Sequence, residues 1–188
     1  MFVRLGAALV DTDAVARDVV ARGEPALDEV HRAFGDVVID DRGELDRRAL
    51  REIIFSDAER RRELEAILHP RIRERTLTLL DIAEGAYVIA AVPLLVETNF
   101  AELVTRVLMV DCPADMQLER LMQRDQIDRT AAEAAIGAQA DRAARLATAD
   151  NIIDNSGCRA STRRQVEDLH VRYLDLASDR RARQGRAE

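Results

Sequence analysis

Short apolar runs alternate along the chain with longer stretches in which apolar residues recur every three or four positions. A short apolar run is typical of a buried strand, whereas the longer spacing is typical of an amphipathic helix. Four runs are predicted to be strands: LGAALVD (5–11), YVIAAV (87–92), RVLMVD (106–111) and NIID (151–154). Strands that alternate with helices predict a parallel α/β sheet.

A mostly helical insertion separates the first two predicted strands. Residues from about 22 to 86 carry three apolar stripes at helical spacing, and we expect them to form a helical arm over one side of the sheet. The step from His69 to Pro70 divides the second stripe from the third, and proline is favoured in the first turn of a helix. A new helix is therefore expected to begin near Pro70.

The segment after the third predicted strand combines helices with arginines. Residues from about 120 to 148 are predicted to form helices joined by short turns beside the binding edge of the sheet, where they could act as a lid. A long amphipathic helix follows the fourth strand. The apolar pattern is lost from Asp179 onward, so we expect residues 179–188 to be disordered. No repeat or linker marks a second domain, and one domain is predicted over residues 1–178.

Composition narrows the class of protein. The formal net charge of −7 disfavours binding to nucleic acid, which needs an excess of basic residues on one face. Two cysteines without CxxC spacing and three histidines without zinc-ligand spacing predict no zinc site. Because no run of 18 apolar residues and no signal pattern occurs, we expect no membrane partner and a location in the reducing cytoplasm. The oligomeric state is not readable from these patterns.

Carboxylates follow the predicted strands. Asp11, Asp13, Glu97 and Asp111 are expected near the carboxyl ends of the strands, where open α/β sheets bind their ligands. An aspartate there can act as a general base or hold a magnesium ion through water. The alternative is that Asp11 or Asp13 only caps the helix that begins near Ala14. Both roles remain open, and each aspartate could take one.

Arginines are concentrated in the predicted lid. Arg120 and Arg124 are one helical turn apart, and Arg142 and Arg145 follow the turn after AIGAQA. Planar arginine side chains stabilise the charge that phosphoryl transfer spreads over phosphate oxygens, so these four are candidates for nucleotide binding. The alternative is that they are ordinary solvated arginines on helix surfaces.

Several segments resemble the dephospho-CoA kinase family, whose members are P-loop kinases that use ATP to phosphorylate the ribose 3'-hydroxyl of dephospho-CoA. They run in the family's order from about Phe2 to about Leu176 and comprise VDTDAVAR, GELDRRALREIIF, LHPRIRE, YVIAAVPLLVE, RVLMVDCP, QLERLMQRD, AQADRAARLATAD and NIIDNSG. The resemblance implies a P-loop nucleotide-kinase-like parallel sheet with a helical substrate arm and a lid. It also implies ATP and dephospho-CoA as substrates and Mg²⁺ bound with ATP.

The resemblance assigns catalytic roles to three residues. Asp13 would take the proton from the ribose 3'-hydroxyl, and Asp11 would lie close to the magnesium ion or its waters. Arg142 would be the lid arginine at the phosphates.

The resemblance also assigns residues to the two substrates. His69, Pro70 and Arg73 would belong to the part of the arm that folds over dephospho-CoA, although His69 could instead be a packed or capping residue. The substrate side of the cleft would be formed by Pro93, Leu94, Leu95 and Glu97, with core packing as the alternative for the two leucines. Asn155 and Gly157 would, by the same resemblance, lie close to the adenine of ATP.

One part of the family pattern is missing from these residues. All 28 basic residues are arginine, and no GxxxxGK[ST] sequence occurs. In P-loop kinases that loop cradles the phosphates with its backbone N–H groups, and its lysine reaches the β- and γ-phosphates. The absence of lysine also excludes chemistry that needs its amine. By resemblance, the missing piece includes a strand from the middle of the sheet.

Two explanations compete for the missing loop. The sequence could be an incomplete version of a working enzyme that carries the loop, or a relative that lacks it, has lost catalysis and binds a CoA-type ligand, a nucleotide or a partner protein. In either case we predict no measurable phosphorylation of dephospho-CoA by the chain of 188 residues. A third possibility is a kinase for another small alcohol, such as shikimate or a nucleoside monophosphate, which the arm carrying LHP disfavours.

Overall fold

The computed structural model describes residues 1–98 and 100–184. Its strands are β1 (Ala8–Asp11), β2 (Val88–Ala91), β3 (Leu108–Asp111) and β4 (Asn151–Asp154). Its α-helices are α1 (Thr12–Asp18), α2 (Pro25–Phe34), α3 (Arg47–Ser56), α4 (Ala58–Ile82), α5 (Ala114–Asp125), α6 (Arg129–Gly137), α7 (Arg142–Thr148) and α8 (Arg159–Gln184). Short 3₁₀ turns lie at Phe2–Leu5, Asp36–Val38 and Phe100–Leu103. Each of the four predicted strands is present.

The chain divides into two compact units. Residues 8–91 form the arm unit, in which β1 pairs in parallel with β2, Ala8 opposite Val88. Residues 1–7 and the described residues from 92 onward form the lid unit, in which β3 pairs in parallel with β4. The parallel α/β arrangement is confirmed, and its hydrogen bonds form two sheets of two strands each within the described chain. A single domain over residues 1–178 stays a prediction.

The core of the arm unit consists of two apolar clusters that share α4. The first joins β1, α1 and the start of α2 through Val10, Val15, Val19, Val20 and Ala26. The second joins α2, α3 and α4 through Val30, Phe34, Val38, Leu50 and Leu64. Full burial of a Val, Leu or Phe side chain contributes about 1.5–3 kcal/mol, so these clusters are the main stabilising contribution to the arm.

Helix α4 runs without interruption through Pro70, so the prediction of a new helix near that residue is wrong. The helix begins instead at Asp57, whose carboxylate accepts the N–H groups of Glu59 and Arg60. Proline inside a helix costs about 3 kcal/mol relative to alanine because it removes one backbone hydrogen bond. Burial of α4 side chains on both sides of the proline, Leu68 and Ile72 among them, outweighs that cost.

In the lid unit, α8 packs against the paired strands. Ile153 of β4 is buried with Val166 and Leu169 of α8. The rings of Phe2 and Tyr173 stack with their centroids 6.1 Å apart. These contacts fix the first half of α8 on the sheet.

The second half of α8 is exposed but helical. Beyond Tyr173 the apolar side chains reach solvent, with Leu174 37% and Leu176 43% exposed. The helix continues to Gln184, so the prediction of disorder is wrong for residues 179–184, and residues 185–188 lie outside the described part. Arginine, alanine and leucine favour helix even where nothing packs on them, and an apolar pattern cannot detect such a helix.

None of the helices described here combines the length and the apolar character needed to cross a membrane.

Candidate active site

Three of the four strands end in an aspartate: Asp11 in β1, Asp111 in β3 and Asp154 in β4. Within the lid unit, Asp111 pairs in register with Asp154, so both side chains belong to the carboxyl edge of that sheet. Ligands of open α/β sheets bind at this edge. The two units therefore each present a carboxylate at the end of a parallel strand.

In the arm unit, the end of β1 passes directly into α1. The Asp11 carboxylate caps the helix, because its Oδ1 accepts the Asp13 N–H at 2.9 Å. Between them, the buried Thr12 donates its hydroxyl to the carbonyl of Ala91 at 3.0 Å, which ties the ends of β1 and β2 together. The capping alternative is thus confirmed for Asp11, and its contact to a metal stays a prediction.

Asp13 lies exposed in the first turn of α1. No residue of the described chain forms a hydrogen bond or ion pair with its carboxylate, while its backbone N–H is held by Asp11. Its oxygens are available to accept a proton or a hydrogen bond from a bound hydroxyl group.

On the arm helix α4, His69 and Arg73 lie one turn apart, and both are exposed, as is Pro70. The exposure of His69 is against its being a packed core residue. Neighbouring arginines of α4 are held against α2 by the ion pairs Arg71–Glu29 and Arg75–Glu24. In contrast, neither His69 nor Arg73 has a side-chain partner among the described residues, so this face of α4 offers unused hydrogen-bond donors.

The turn after β2 belongs to the lid unit and contains Pro93, Leu94 and Glu97. Leu94 is 43% exposed, so ordinary core packing does not describe it. The Glu97 carboxylate accepts the N–H of Ala140 at 2.6 Å. Glu97 therefore contacts the turn between α6 and α7.

Arg142 forms a two-point contact with Asp111. Its Nε donates to Oδ1 at 2.9 Å, and its Nη2 donates to Oδ2 at 2.5 Å. These hydrogen bonds from the guanidinium hold the pKa of Asp111 below 3.8, its ordinary value, although burial of the carboxylate opposes the shift. The Asp111 side chain is 14% exposed and that of Arg142 is 54% exposed, so the pair lies at the surface with its carboxylate recessed.

The loop after β4 joins the same edge. The N–H of Asn155 donates to the carbonyl of Asp111 at 2.7 Å, and Arg120 donates to the carbonyl of Asn155 at 2.9 Å. The Asn155 side chain accepts the hydroxyl of Thr162 at 3.1 Å. A Cβ on Gly157 would meet only an ordinary contact, so packing does not require glycine there.

The other two candidate arginines differ. Arg145 donates from Nη1 to the carbonyl of Ala140 at 2.9 Å, while its buried Nε has no acceptor among the described residues. Arg124 instead pairs with its neighbour Asp125. The lid unit therefore joins Glu97, Asp111, Arg120, Arg142, Arg145 and Asn155 through direct contacts or shared backbone groups, and Arg124 has no contact with this set.

No group of three or more His, Cys, Asp or Glu side chains within residues 1–98 and 100–184 could hold a metal ion. Cys112 and Cys158 are free thiols.

A family model described as dephospho-CoA kinase matches residues 1–160. The chain belongs to the dephospho-CoA kinase family. Among curated relatives, the dephospho-CoA kinase of Aromatoleum aromaticum is 45% identical over 174 residues, covering 92% of this chain and 85% of the relative. That of Escherichia coli K12 is 45% identical over 177 residues, covering 94% and 86%.

Two solved structures are similar to this kinase. A protein from Thermus thermophilus superposes with a TM-score of 0.77 at 29% identity, covering 91% of this chain and 87% of that one. Dephospho-CoA kinase from Campylobacter jejuni superposes with a TM-score of 0.65 at 28% identity, covering 88% and 84%. The predicted family is confirmed, and so is the P-loop kinase fold.

Two residues gained roles that the sequence had not assigned. Asp111 was placed at a strand end by its position after RVLMV, but its pairing with Arg142 was not predicted. Thr12 carried no signal, since a threonine between two aspartates fits a helix start equally well. The position after a strand was enough to select Asp111, but no sequence signal linked it to Arg142.

Proposed function

We propose that this kinase transfers the γ-phosphoryl group of ATP to the ribose 3'-hydroxyl of dephospho-CoA and so forms coenzyme A. Family membership supports the reaction, and the observation that carries the chemistry is Asp13, an exposed carboxylate without a partner at the carboxyl end of β1. In this role Asp13 accepts the proton of the 3'-hydroxyl as that oxygen attacks the phosphorus. A positioned general base of this kind contributes about 10²- to 10⁴-fold to the rate.

In the lid unit, Arg142, Arg145 and Arg120 are the residues proposed to bind the phosphates, and Arg124 is proposed for the nucleotide side with less support from contacts. Arginine donors aimed at phosphate oxygens stabilise the charge that spreads over them during transfer. Asn155 is proposed, together with Gly157, to contact the adenine of ATP.

We assign the dephospho-CoA contacts to the arm helix and to the turn after β2. His69 and Arg73 supply donors for the diphosphate of the substrate, because neither side chain is used within the described chain. Pro70 separates them on the same exposed stretch of α4. Pro93 and Leu94 offer apolar surface, and Glu97 acts through its contact with Ala140.

Magnesium is the metal proposed to accompany ATP. Bound with ATP, Mg²⁺ would neutralise part of the charge on the phosphates. Asp11 fits an outer contact, since one carboxylate oxygen caps α1 and the other has no partner in the described chain and can accept a magnesium-bound water. We also propose a cytoplasmic location and, from the net charge of −7, no nucleic-acid partner.

The reaction needs a phosphate loop, so the first experiment is the intact mass and N-terminal sequence of the protein isolated from its own cells. We expect a product that contains GxxxxGK[ST] and converts ATP and dephospho-CoA to coenzyme A. A properly folded, loop-containing product without this turnover would overturn the proposed function.

A second candidate function is binding of dephospho-CoA without catalysis. The exposed donors of His69 and Arg73, which no described residue takes, support it. Calorimetric titration of the purified chain with dephospho-CoA tests it, with Arg73→Ala expected to weaken binding and Arg51→Ala, which removes the same charge from an exposed site on α3, expected not to. A cellular product that starts at Met1 and binds the ligand would favour this function over the kinase.

A further inference from the structure

The contact between Asp111 and Arg142 carries an inference that rests on the proposed function. We propose that Asp111 is the positioning residue of the lid arginine: its carboxylate fixes one edge of the Arg142 guanidinium and leaves the other edge free to bind phosphate. A guanidinium has five N–H donors, and the observed fork uses the Nε–H and one Nη2–H. Three donors remain, the second Nη2–H and the two Nη1–H groups, and no described residue accepts them; one Nη1–H and the second Nη2–H together form the end-on edge of the guanidinium.

Asp111 is the rigid member of the pair. It is the last residue of β3, its backbone is paired with β4, and its carbonyl also accepts the N–H of Asn155 at 2.7 Å. Arg142 is the first residue of the seven-residue helix α7, and its side chain is more than half exposed. The backbone of Asp111 is held on both sides by β4 and Asn155, whereas the Arg142 side chain has Asp111 as its one partner among the described residues. The strand therefore orients the arginine.

Two further contacts hold the turn that precedes Arg142. Ala140 donates its N–H to Glu97, and its carbonyl accepts a donor from Arg145. With both backbone groups of Ala140 engaged, the start of α7 has a defined position from which Arg142 reaches Asp111. Glu97 thus supports the same arrangement by holding the N–H of Ala140.

The same contact could act in the opposite sense, since a carboxylate that occupies an arginine can compete with a phosphate for it. Competition requires the phosphate to take the edge that Asp111 occupies, whereas positioning uses the free edge. Arg145 and Arg120 each donate one hydrogen bond to a backbone carbonyl. Within the described chain, the Arg142 guanidinium donates only to the Asp111 side chain. The side-on contact with Asp111 already restricts the rotamers of Arg142. Phosphate binding then costs less side-chain entropy, which favours positioning.

The variant Asp111→Asn distinguishes positioning from competition. Positioning predicts weaker phosphate binding in this variant, and competition predicts tighter binding. The probe is inorganic tripolyphosphate, titrated into the purified chain and followed by the ¹⁵N NMR signal of the Arg142 Nε–H. In the wild type we expect a signal that exchanges slowly with water and shifts saturably with the probe. In Asp111→Asn we expect faster exchange and a Kd about two- to tenfold higher, since the arginine must then be ordered on binding.

The control is Asp115→Asn, which removes the same charge from an exposed residue of the same unit that has no partner in the described chain. It is expected to leave both readouts unchanged. Arg142→Lys, which keeps the charge but cannot form the fork, should raise the Kd as Asp111→Asn does. If Asp111→Asn does not fold, Asp111→Glu takes its place, with a smaller increase in Kd expected because the charge is kept and the fork displaced.

A lower or unchanged Kd in the Asp111 variant overturns the positioning role. A wild-type Arg142 signal that does not shift when tripolyphosphate is added overturns it as well. Tripolyphosphate binding does not depend on turnover, so the two proposals fail separately. Turnover by the loop-containing protein with no effect of Asp111→Asn on the Kd would remove only the positioning role. The expected effect on the Kd without any turnover would remove only the kinase function.

Discussion

Asp11 and Asp13 divide two tasks at the start of α1, because the first caps the helix and the second is left exposed. In a catalytically active, loop-containing form of the protein, we expect Asp13→Asn to lower kcat about 10²- to 10⁴-fold, since the amide cannot accept the hydroxyl proton. The KM for ATP should change little. Steady-state kinetics in which ATP and dephospho-CoA are varied in turn is the measurement.

Asp18→Asn provides the matched control for this prediction, as it removes the same charge from the exposed far end of the same helix. It should leave kcat unchanged. Equal turnover in the wild type and in Asp13→Asn would show that Asp13 is not the base.

The ion pair between Asp111 and Arg142 should depend on pH. The guanidinium lowers the pKa of Asp111 below 3.8, so the carboxylate stays ionised and the pair stays intact at any pH well above that value. A lowered pKa in the folded state means that the stabilisation is present above the ordinary pKa and is lost as the pH falls through the lowered one. Slow exchange of the Arg142 Nε–H, after correction for the intrinsic rate, should persist through mildly acidic pH and disappear only as the pH falls through the lowered pKa of Asp111.

Asp111→Asn should abolish this pH dependence, because no carboxylate remains to titrate. If instead the wild-type protection fades between pH 7 and pH 5, a group other than Asp111 holds the arginine.

Sequence patterns placed Asp11, Asp13 and Asp111 at strand ends and Arg142 in the lid, but they could not pair Asp111 with Arg142. Asp111 and Arg142 are 31 positions apart, and their contact depends on how α7 begins after its turn. Which of two aspartates caps α1 is likewise decided by a hydrogen bond to one N–H group. Local patterns identify the chemistry that is available, whereas contacts made over such separations need the folded chain.

At the scale of elements, α4 keeps a proline in its interior. Pro70→Ala supplies an N–H that can bond to the carbonyl of Ala66, so we expect the free energy of unfolding to rise by about 1–3 kcal/mol. Urea denaturation of the purified chain measures the change. Glu74→Ala, at an exposed position on the same helix, should change stability by less than about 0.5 kcal/mol.

A lower stability of Pro70→Ala would mean that the proline ring, not the burial on either side of it, maintains the shape of α4. An increase in stability together with weaker binding of dephospho-CoA would instead show that the arm carries the proline for function.

The error at Pro70 and the error in α8 have one physical origin. Proline and the loss of an apolar pattern are local signals of a helix boundary, and local signals yield to packing and to backbone propensity. In α4, burial around Leu68 and Ile72 carries the helix through the proline. In α8, good helix formers extend the helix to Gln184 although Leu174 and Leu176 remain exposed.

At the scale of the whole molecule, the sequence predicted the strands and their parallel direction correctly, but it did not predict which strand pairs with which. Alternating strands and helices predict parallel pairing, and both observed pairs are parallel. β2 and β3 each pair with one other strand in the described chain. The number of sheets depends on which strands hydrogen-bond to each other. An apolar pattern identifies each strand separately and therefore does not determine that pairing.

The purified chain of 188 residues has the candidate base and the lid arginines but no lysine and no glycine-rich phosphate loop. Incubated with ATP, Mg²⁺ and dephospho-CoA, it should form no coenzyme A above a protein-free control, as judged by chromatography of the products, because nothing in it replaces the backbone cradle and the lysine at the γ-phosphate. The Escherichia coli relative, assayed alongside, should show turnover. Coenzyme A formed by the purified chain and abolished by Asp13→Asn would rule out a contaminating kinase and show that arginines alone can hold the phosphates for transfer.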